Sequence, residues 1–202
     1  MMTQTVTFTE LAADGFRPAI AQFVAVYSAA MNPPERMLAG RESILERHAA
    51  NPGFRAFAAY AAGELAGFTY GFHGAPGQWW HDIVAGALAM GTGGPWLGDS
   101  FEVAELHVLP SRQGDGIGRT LLLRLLSGRP ERTALLSTAD TESRARRLYR
   151  GLGFTDLLTG FRFSGMEPPY AVMGATLPLP RASQDDEAAT RPDPVSPRPS
   201  SW

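Results

Sequence analysis

The 202-residue chain contains no cysteine and no lysine. Without cysteine it has no disulfides, no thiolate metal ligands and no side chain that could carry an acyl group as a thioester. All 18 basic residues are arginine, against 20 acidic ones, for a formal net charge of −2. That balance gives neither nucleic acid nor a membrane surface an electrostatic foothold, and neither is expected as a partner. No apolar run approaches the length of a bilayer span. The N-terminal stretch MMTQTVTFTE lacks the basic and apolar regions of a secretory signal, so a cytoplasmic location is expected. His48, His73, His81 and His107 are scattered without metal-ligand spacing, and no metal is expected. There is no internal repeat.

The length suits one domain with a sizeable core. Residues 5–11 alternate as a strand, and Phe16, Ile20, Phe23, Val24 and Tyr27 fit one face of a helix. A proline-containing loop, Met31 to Gly40, precedes a short helix carrying Ile44, Leu45 and His48. Residues 54–61 and 65–73 read as a hairpin around Ala62-Gly63-Glu64. The connection from His73 to Ser100 is too long for a turn and holds its own helix, since Trp79/Trp80, Ile83/Val84 and Ala87/Leu88 recur every four residues. Gly91 to Gly98 then forms a flexible return. Strand 132–138, helix 141–150 and strands near 154–163 and 170–177 complete the pattern, an α/β or α+β sheet covered by helices. From about Pro180 the composition turns to Pro, Ser, Asp and Arg. The expectation is one domain over residues 1–180 and a disordered tail over 181–202.

The stretch that organises the rest is Phe101 to Gly118, FEVAELHVLPSRQGDGIG, running on into RTLLLRLLSG. It reads as a strand ended by Pro110, then a glycine-rich turn, then a helix striped by Ile117, Leu121 and Leu125. Such a turn leaves several backbone N–H groups unpaired at the positive end of the helix dipole, an anion site suited to phosphate. A dinucleotide fingerprint starting at Gly114 needs glycine where Arg119 stands. A Walker A loop ending at Gly118 needs glycine and lysine where Gln113 and Arg119 stand. Both are excluded.

What fits is Gln113-Gly114-Asp115-Gly116-Ile117-Gly118 after Leu106-His107-Val108-Leu109-Pro110. This resembles the Q/R-x-x-G-x-G/A motif, with its leading strand, of the GNAT family of acyl-CoA-dependent N-acetyltransferases. Residues Ala145 to Phe154, ARRLYRGLGF, resemble that family's A-x-x-L-Y-x-x-x-G-F segment. The resemblance implies a mixed, strongly twisted sheet of six to seven strands, splayed between the fourth and fifth, with acetyl-CoA in the split. The backbone of Leu106, His107 and Val108 would bond to its pantetheine arm. Gln113, Gly114, Asp115, Gly116, Ile117, Gly118, Arg119 and Thr120 would surround its pyrophosphate. Asp115 and Glu142 depart from the family pattern: a basic residue is common at the first position and an asparagine at the second. Arg112, Arg119, Arg146 and Arg147 are available to offset phosphate charge.

Acetyl transfer to an amine sets three demands. A lysine-like ammonium with a pKa near 10.4 is only about 0.04% neutral at pH 7, so the amine must lose a proton. The carbonyl oxygen must be stabilised as charge builds on it, and the leaving thiolate needs a proton. Glu102 and Glu105 lie where family members often carry a carboxylate base. Glu102 better matches the spacing of the histone-modifying members, while Glu105 adjoins the pantetheine-pairing residues and is preferred because the amine must approach the strand's C-terminal end. Three apart, they point to opposite faces of a regular strand, so a bulge is needed for both to face the cleft. Tyr149, in the LY motif, takes the role of acid by resemblance, the alternative being a core tyrosine on the apolar face with a satisfied hydroxyl. His107 is a strand histidine that could assist proton transfer. The N–H of Val108 is the natural polariser of the thioester oxygen. With no cysteine, direct attack in a ternary complex is favoured. Trp79, Trp80, Trp96 and the Met31–Met37 loop are candidates to wall an apolar acceptor pocket.

The acceptor is expected to be a small-molecule or peptide amine, and the protein a monomer or homodimer. A non-catalytic acyl-CoA-binding sensor is the alternative, since the loop alone would suffice for binding.

Overall fold

A computed structural model describes residues 5–90, 95–163 and 168–180. The expected tail and residues 91–94 of the expected glycine-rich return lie outside the described residues. In chain order the elements are β1 (Val6–Leu11), α1 (Ala13–Phe16), α2 (Ile20–Met31), α3 (Arg41–His48), β2 (Arg55–Ala61), β3 (Glu64–Gly74), α4 (Trp79–Ala89), β4 (Ser100–Val108), α5 (Ile117–Leu126), β5 (Thr133–Ala139), α6 (Arg144–Arg150), β6 (Thr155–Phe161) and β7 (Tyr170–Thr176). Short 3-10 turns join α1 to α2, precede α3 and follow β4.

The seven strands form one sheet in the order β1-β2-β3-β4-β5-β7-β6, antiparallel except for β4 and β5. The β2–β3 hairpin turns through Ala62 and Gly63, with φ of +53° and +82°, the left-handed pair that a two-residue hairpin of native twist needs. β4 and β5 pair only over Ser100–Glu102 and Thr133–Leu135, after which the rest of β4 runs on without its parallel neighbour. The sheet is therefore mixed and splayed where the family resemblance implies the split.

Two apolar clusters sandwich the sheet. On one face the α5 stripe Ile117, Leu121, Leu122 and Leu125 packs on Phe57, Phe101, Val103 and Leu136. On the other, Phe16, Ile20 and Phe23 of the N-terminal helices and Leu45 of α3 pack on Phe68, Tyr70 and Phe72 of β3. A third cluster joins Val84 and Leu88 of α4 to Phe163 and to Val172 of β7. Among the described residues no helix is long and apolar enough to cross a membrane.

Candidate active site

β4 carries a bulge that decides which side chains face which helices. Tyr70 of β3 pairs with Glu105, but Gly71 pairs with Val103, so Ala104 is the extra residue. Before the bulge, Phe101 and Val103 point into the α5 cluster; after it, Leu106 and Val108 do. Glu102, Ala104 and Glu105 consequently share the opposite face, lining a single cavity. Two neighbours sustain the distortion. Thr69, fully buried, donates its hydroxyl to the Glu105 carbonyl at 2.7 Å. At Gly71 any Cβ would collide with the Glu102 carbonyl and the Phe101 ring, so only glycine lets β3 approach this closely.

The cavity holds about 670 Å3 between α3, with Arg41, Ile44, Arg47 and His48, and the start of α4, with Trp79 and Trp80. Of the expected acceptor walls, the two tryptophans are present, whereas Trp96 packs in the α4–β7 cluster and the Met31–Met37 loop does not line the space. Trp80 is also tethered, its indole N–H donating to Ser137 Oγ at 3.2 Å.

The two glutamates sit in contrasting electrostatic settings. Glu105 accepts from Arg41 and is paired with His107. Burial pushes its carboxyl up, but His107 and Arg41 together outweigh this and hold it below the usual carboxylate range. Arg41 is itself stacked 3.8 Å over the Tyr27 ring. Glu102 has no such support. It is 7% exposed, and its Oε2 is buried without a hydrogen-bond partner among the described residues. Burial, helped by the charge of Glu105, pushes its carboxyl up to about 8. His48 shares the cavity, with Nδ1 3.0 Å from the Tyr70 hydroxyl, and burial pulls its ring down to about 4, so it is neutral at physiological pH.

Behind β4 lies a groove of about 340 Å3. Its walls include Leu106 and Val108, the loop residues Gln113, Gly114, Gly116, Ile117, Gly118 and Arg119, and, from α6, Ala145, Leu148 and Tyr149. Gly116, the residue before α5, has φ of +77°, a conformation that side chains resist. The N–H of Leu109 bonds to Ala66 of β3 at 2.9 Å, so in the antiparallel alternation the N–H and C=O groups of Val108 and Leu106 turn the other way, into the split. The Val108 carbonyl is met there by Gln113 Nε2 at 3.1 Å. Tyr149 is 7% exposed, and its hydroxyl has no hydrogen-bond partner among the described residues. Burial and the nearby Glu105 charge push the hydroxyl's pKa up.

Other sequence-derived candidates are placed differently. The side chain of His107 faces Tyr27 and Glu105, away from the groove. Asp115 is exposed in the turn, and Thr120 hydrogen-bonds the Gly116 carbonyl at 3.2 Å. Of the arginines, Arg112 and Arg119 line the groove, but Arg146 is buried and bound to Asp140 and Asp156 as a structural tie. Arg144, which the sequence did not single out, lines the groove in its place. Glu142 is paired with Arg150 at 2.7 Å on the outside of α6. Arg41 and His48 were also not marked as site residues. Their spacing of seven on one helix face carries no signal until the Glu105 and Tyr70 contacts are seen.

The groove offers what a coenzyme A chain requires: unpaired strand amides for an extended polar arm, a glycine-rich helix start for its diphosphate, and arginines nearby. The acetyltransferase (GNAT) domain family matches residues 52–156. A GCN5-like protein acetyltransferase of Mycobacterium tuberculosis is 47% identical over 124 residues, covering 57% of this chain and 60% of that protein. A mycothiol acetyltransferase of Kineococcus radiotolerans is 40% identical over 75 residues, covering 34% of this chain and 24% of that one. The chain thus spans less than two thirds of either relative. Among solved structures, the Thermoplasma acidophilum PaiA N-acetyltransferase in complex with coenzyme A aligns with a TM-score of 0.56 at 14% identity, over 85% of this chain and 99% of that one. An acetyltransferase of Thermus thermophilus aligns with a TM-score of 0.57 at 17% identity, over 88% and 100%. With the strand, loop and helix motifs in register and the family matched over more than half its length, this chain belongs to the GNAT acetyltransferase family.

Proposed function

We propose that the protein is an N-acetyltransferase that moves an acetyl group from acetyl-CoA to a primary amine, of a small molecule or a peptide, by direct attack in a ternary complex. One observation carries this reading: β4 is the common wall of the groove and the cavity, with strand amides on one side and an unpaired, protonatable carboxylate on the other. Bound along the groove, acetyl-CoA supplies an activated thioester. Leu106 and Val108 bond its arm, the Gln113–Thr120 loop and Arg119 hold its diphosphate, and the Val108 N–H faces the thioester oxygen.

Of the two glutamates, Glu102 is the base in this reading. A base works best with a pKa near the working pH, and Glu102 is poised at about 8. Glu105 is held ionised by Arg41 and His107 and is a weak proton acceptor. It serves to position α3 against β4. In its ionised form Glu102 takes one proton from the ammonium, the amine nitrogen bonds the acetyl carbon, and the carbon–sulfur bond breaks. The sulfur leaves with the proton of Tyr149, whose raised pKa keeps the phenol protonated until it is needed, and the tyrosinate regains a proton from the acylated nitrogen as that becomes the neutral amide.

The test is acetyl-CoA turnover over a panel of amines, read as free thiol. Turnover with any primary amine class supports the enzyme. Acetyl-CoA binding with no turnover across the panel assigns the chain as a sensor of acyl-CoA instead.

A further inference from the structure

The charged groups that line the acceptor cavity do not all pair with one another. Its formally ionisable walls, histidine aside, are Arg41, Arg47, Glu102 and Glu105. Arg41 and Glu105 neutralise each other. Glu102, whose Oε2 has no partner among the described residues, is left without a counter-charge. Arg47 is left over: it is exposed, and its side chain makes no ion pair or hydrogen bond among the described residues. One acid and one base are therefore left to meet a ligand. Such a cavity is a poor host for a polyamine or another polycation, because a second ammonium would meet Arg47 with nothing to balance it.

The two unsatisfied groups are well separated in burial. Glu102 is at the floor, 7% exposed, with a free oxygen. Arg47 stands on the exposed side of the same cavity, six residues along α3 from Arg41. The cavity's apolar walls include Ile44, Phe72, Trp80 and the ring of Trp79, which is 56% exposed. Resting on the acetyltransferase reading above, we propose that the acceptor is amphoteric: a primary amine carrying a carboxylate, whose amine reaches Glu102 and whose carboxylate is met by Arg47 while its apolar body lies against Trp79 and Trp80. A free amino acid and a peptide amine with an acidic group close by share this chemistry.

The experiment uses the full chain with matched pairs of acceptors that differ only in the anion. Tryptophan is set against tryptophanamide and tryptamine, and Nα-acetyl-lysine against its amide. Spermidine represents the polycations, and a short peptide with lysine next to glutamate is set against the same peptide with glutamine. A charge-assisted contact of this kind corresponds to about ten- to a hundred-fold in KM. The acid member of a pair should be favoured by that factor. Arg47→Gln should raise its KM to that of the amide, Arg47→Lys should recover part of the preference, and the KM for acetyl-CoA should not move. A preference confined to free acids identifies an amino acid; one confined to the glutamate peptide identifies a protein segment.

Equal or better use of the amides or of spermidine overturns the proposal, as does an acid preference that survives Arg47→Gln. Quenching of tryptophan fluorescence, measured with coenzyme A present, keeps the two readings separable. Selective binding of the acids without turnover refutes the acetyltransferase and leaves the acceptor class standing. Binding without selectivity refutes the acceptor class whatever the turnover.

Discussion

A carboxylate kept unpaired in a protein interior should lower stability in a way that a simple substitution reveals. The folded protein holds the Glu102 proton up to about pH 8, whereas an ordinary glutamate releases it near 4.5. Between those values the unfolded chain binds fewer protons than the folded one, so stability falls as pH rises. One pKa unit corresponds to about 1.4 kcal/mol, which puts the penalty at pH 7 at about 3 kcal/mol, growing until pH passes 8. Glu102→Gln keeps the shape and cannot ionise. Its amide adds a buried donor where Oε2 has no partner, a pH-independent cost of about 1–3 kcal/mol. The informative quantity is therefore the difference between variant and wild type as pH changes. Relative to its value at pH 4.5, the variant should gain about 3 kcal/mol by pH 7, a shift of about 6–12 °C in Tm for a domain of this size. Denaturant or thermal unfolding at half-unit pH steps measures it. The same variant should lose about 10²–10⁴ in kcat and the rising limb of kcat/KM near pH 8. Stability curves that run parallel from pH 4.5 to 9, or a rising limb that persists in the variant, would refute the assignment of Glu102 as a poised base.

Glu105→Gln should behave oppositely: it strips Arg41 of its partner in a mostly buried setting and should cost about 3–5 kcal/mol at pH 7 in thermal unfolding. Because its folded-state pKa is depressed, that contribution is present above the usual glutamate value and fades as pH falls through the depressed one. Tyr149→Phe should leave acetyl-CoA affinity within a few-fold and lower kcat by about 10²–10⁴, and full turnover would reduce Tyr149 to a core residue. Gly116→Val forces a branched side chain into φ of +77° and should abolish the rise in Tm with acetyl-CoA while the protein stays folded. Removing residues 181–202 should change neither Tm nor turnover, and a loss of either on truncation would overturn the proposed domain boundary at residue 180.

The fold was legible because each level of the sequence points the same way. Period-four apolar pairs gave α4 and the leucine stripe gave α5. Alternation bounded by Ala62-Gly63 gave the β2–β3 hairpin, and Pro110 with Gly114 and Gly116 marked the end of β4 and the start of α5. These are local signals, each carried by residues within one or two turns of one another. The split between β4 and β5 is not local; it came only from the likeness to a family, since no residue in either strand announces where pairing stops.

The site divides along the same line. Most of the groove comes from one continuous run, Leu106 to Arg119, which could be read as a unit, and α6 closes it with Arg144, Ala145, Leu148 and Tyr149. The cavity is assembled from α3, α4 and β4, and its chemistry turns on a one-residue bulge. On a regular strand Glu102 and Glu105 would face opposite ways, and Glu105 would be chosen for its place beside the pantetheine strand. The bulge at Ala104 depends on Gly71 and Thr69, more than thirty positions away, which leave room for the kink and bind its carbonyl. Once both carboxylates share one face, the decision between them passes to Arg41 and His107. Those residues bind Glu105, depress it, and so leave Glu102 as the carboxylate whose proton is free to move near neutral pH.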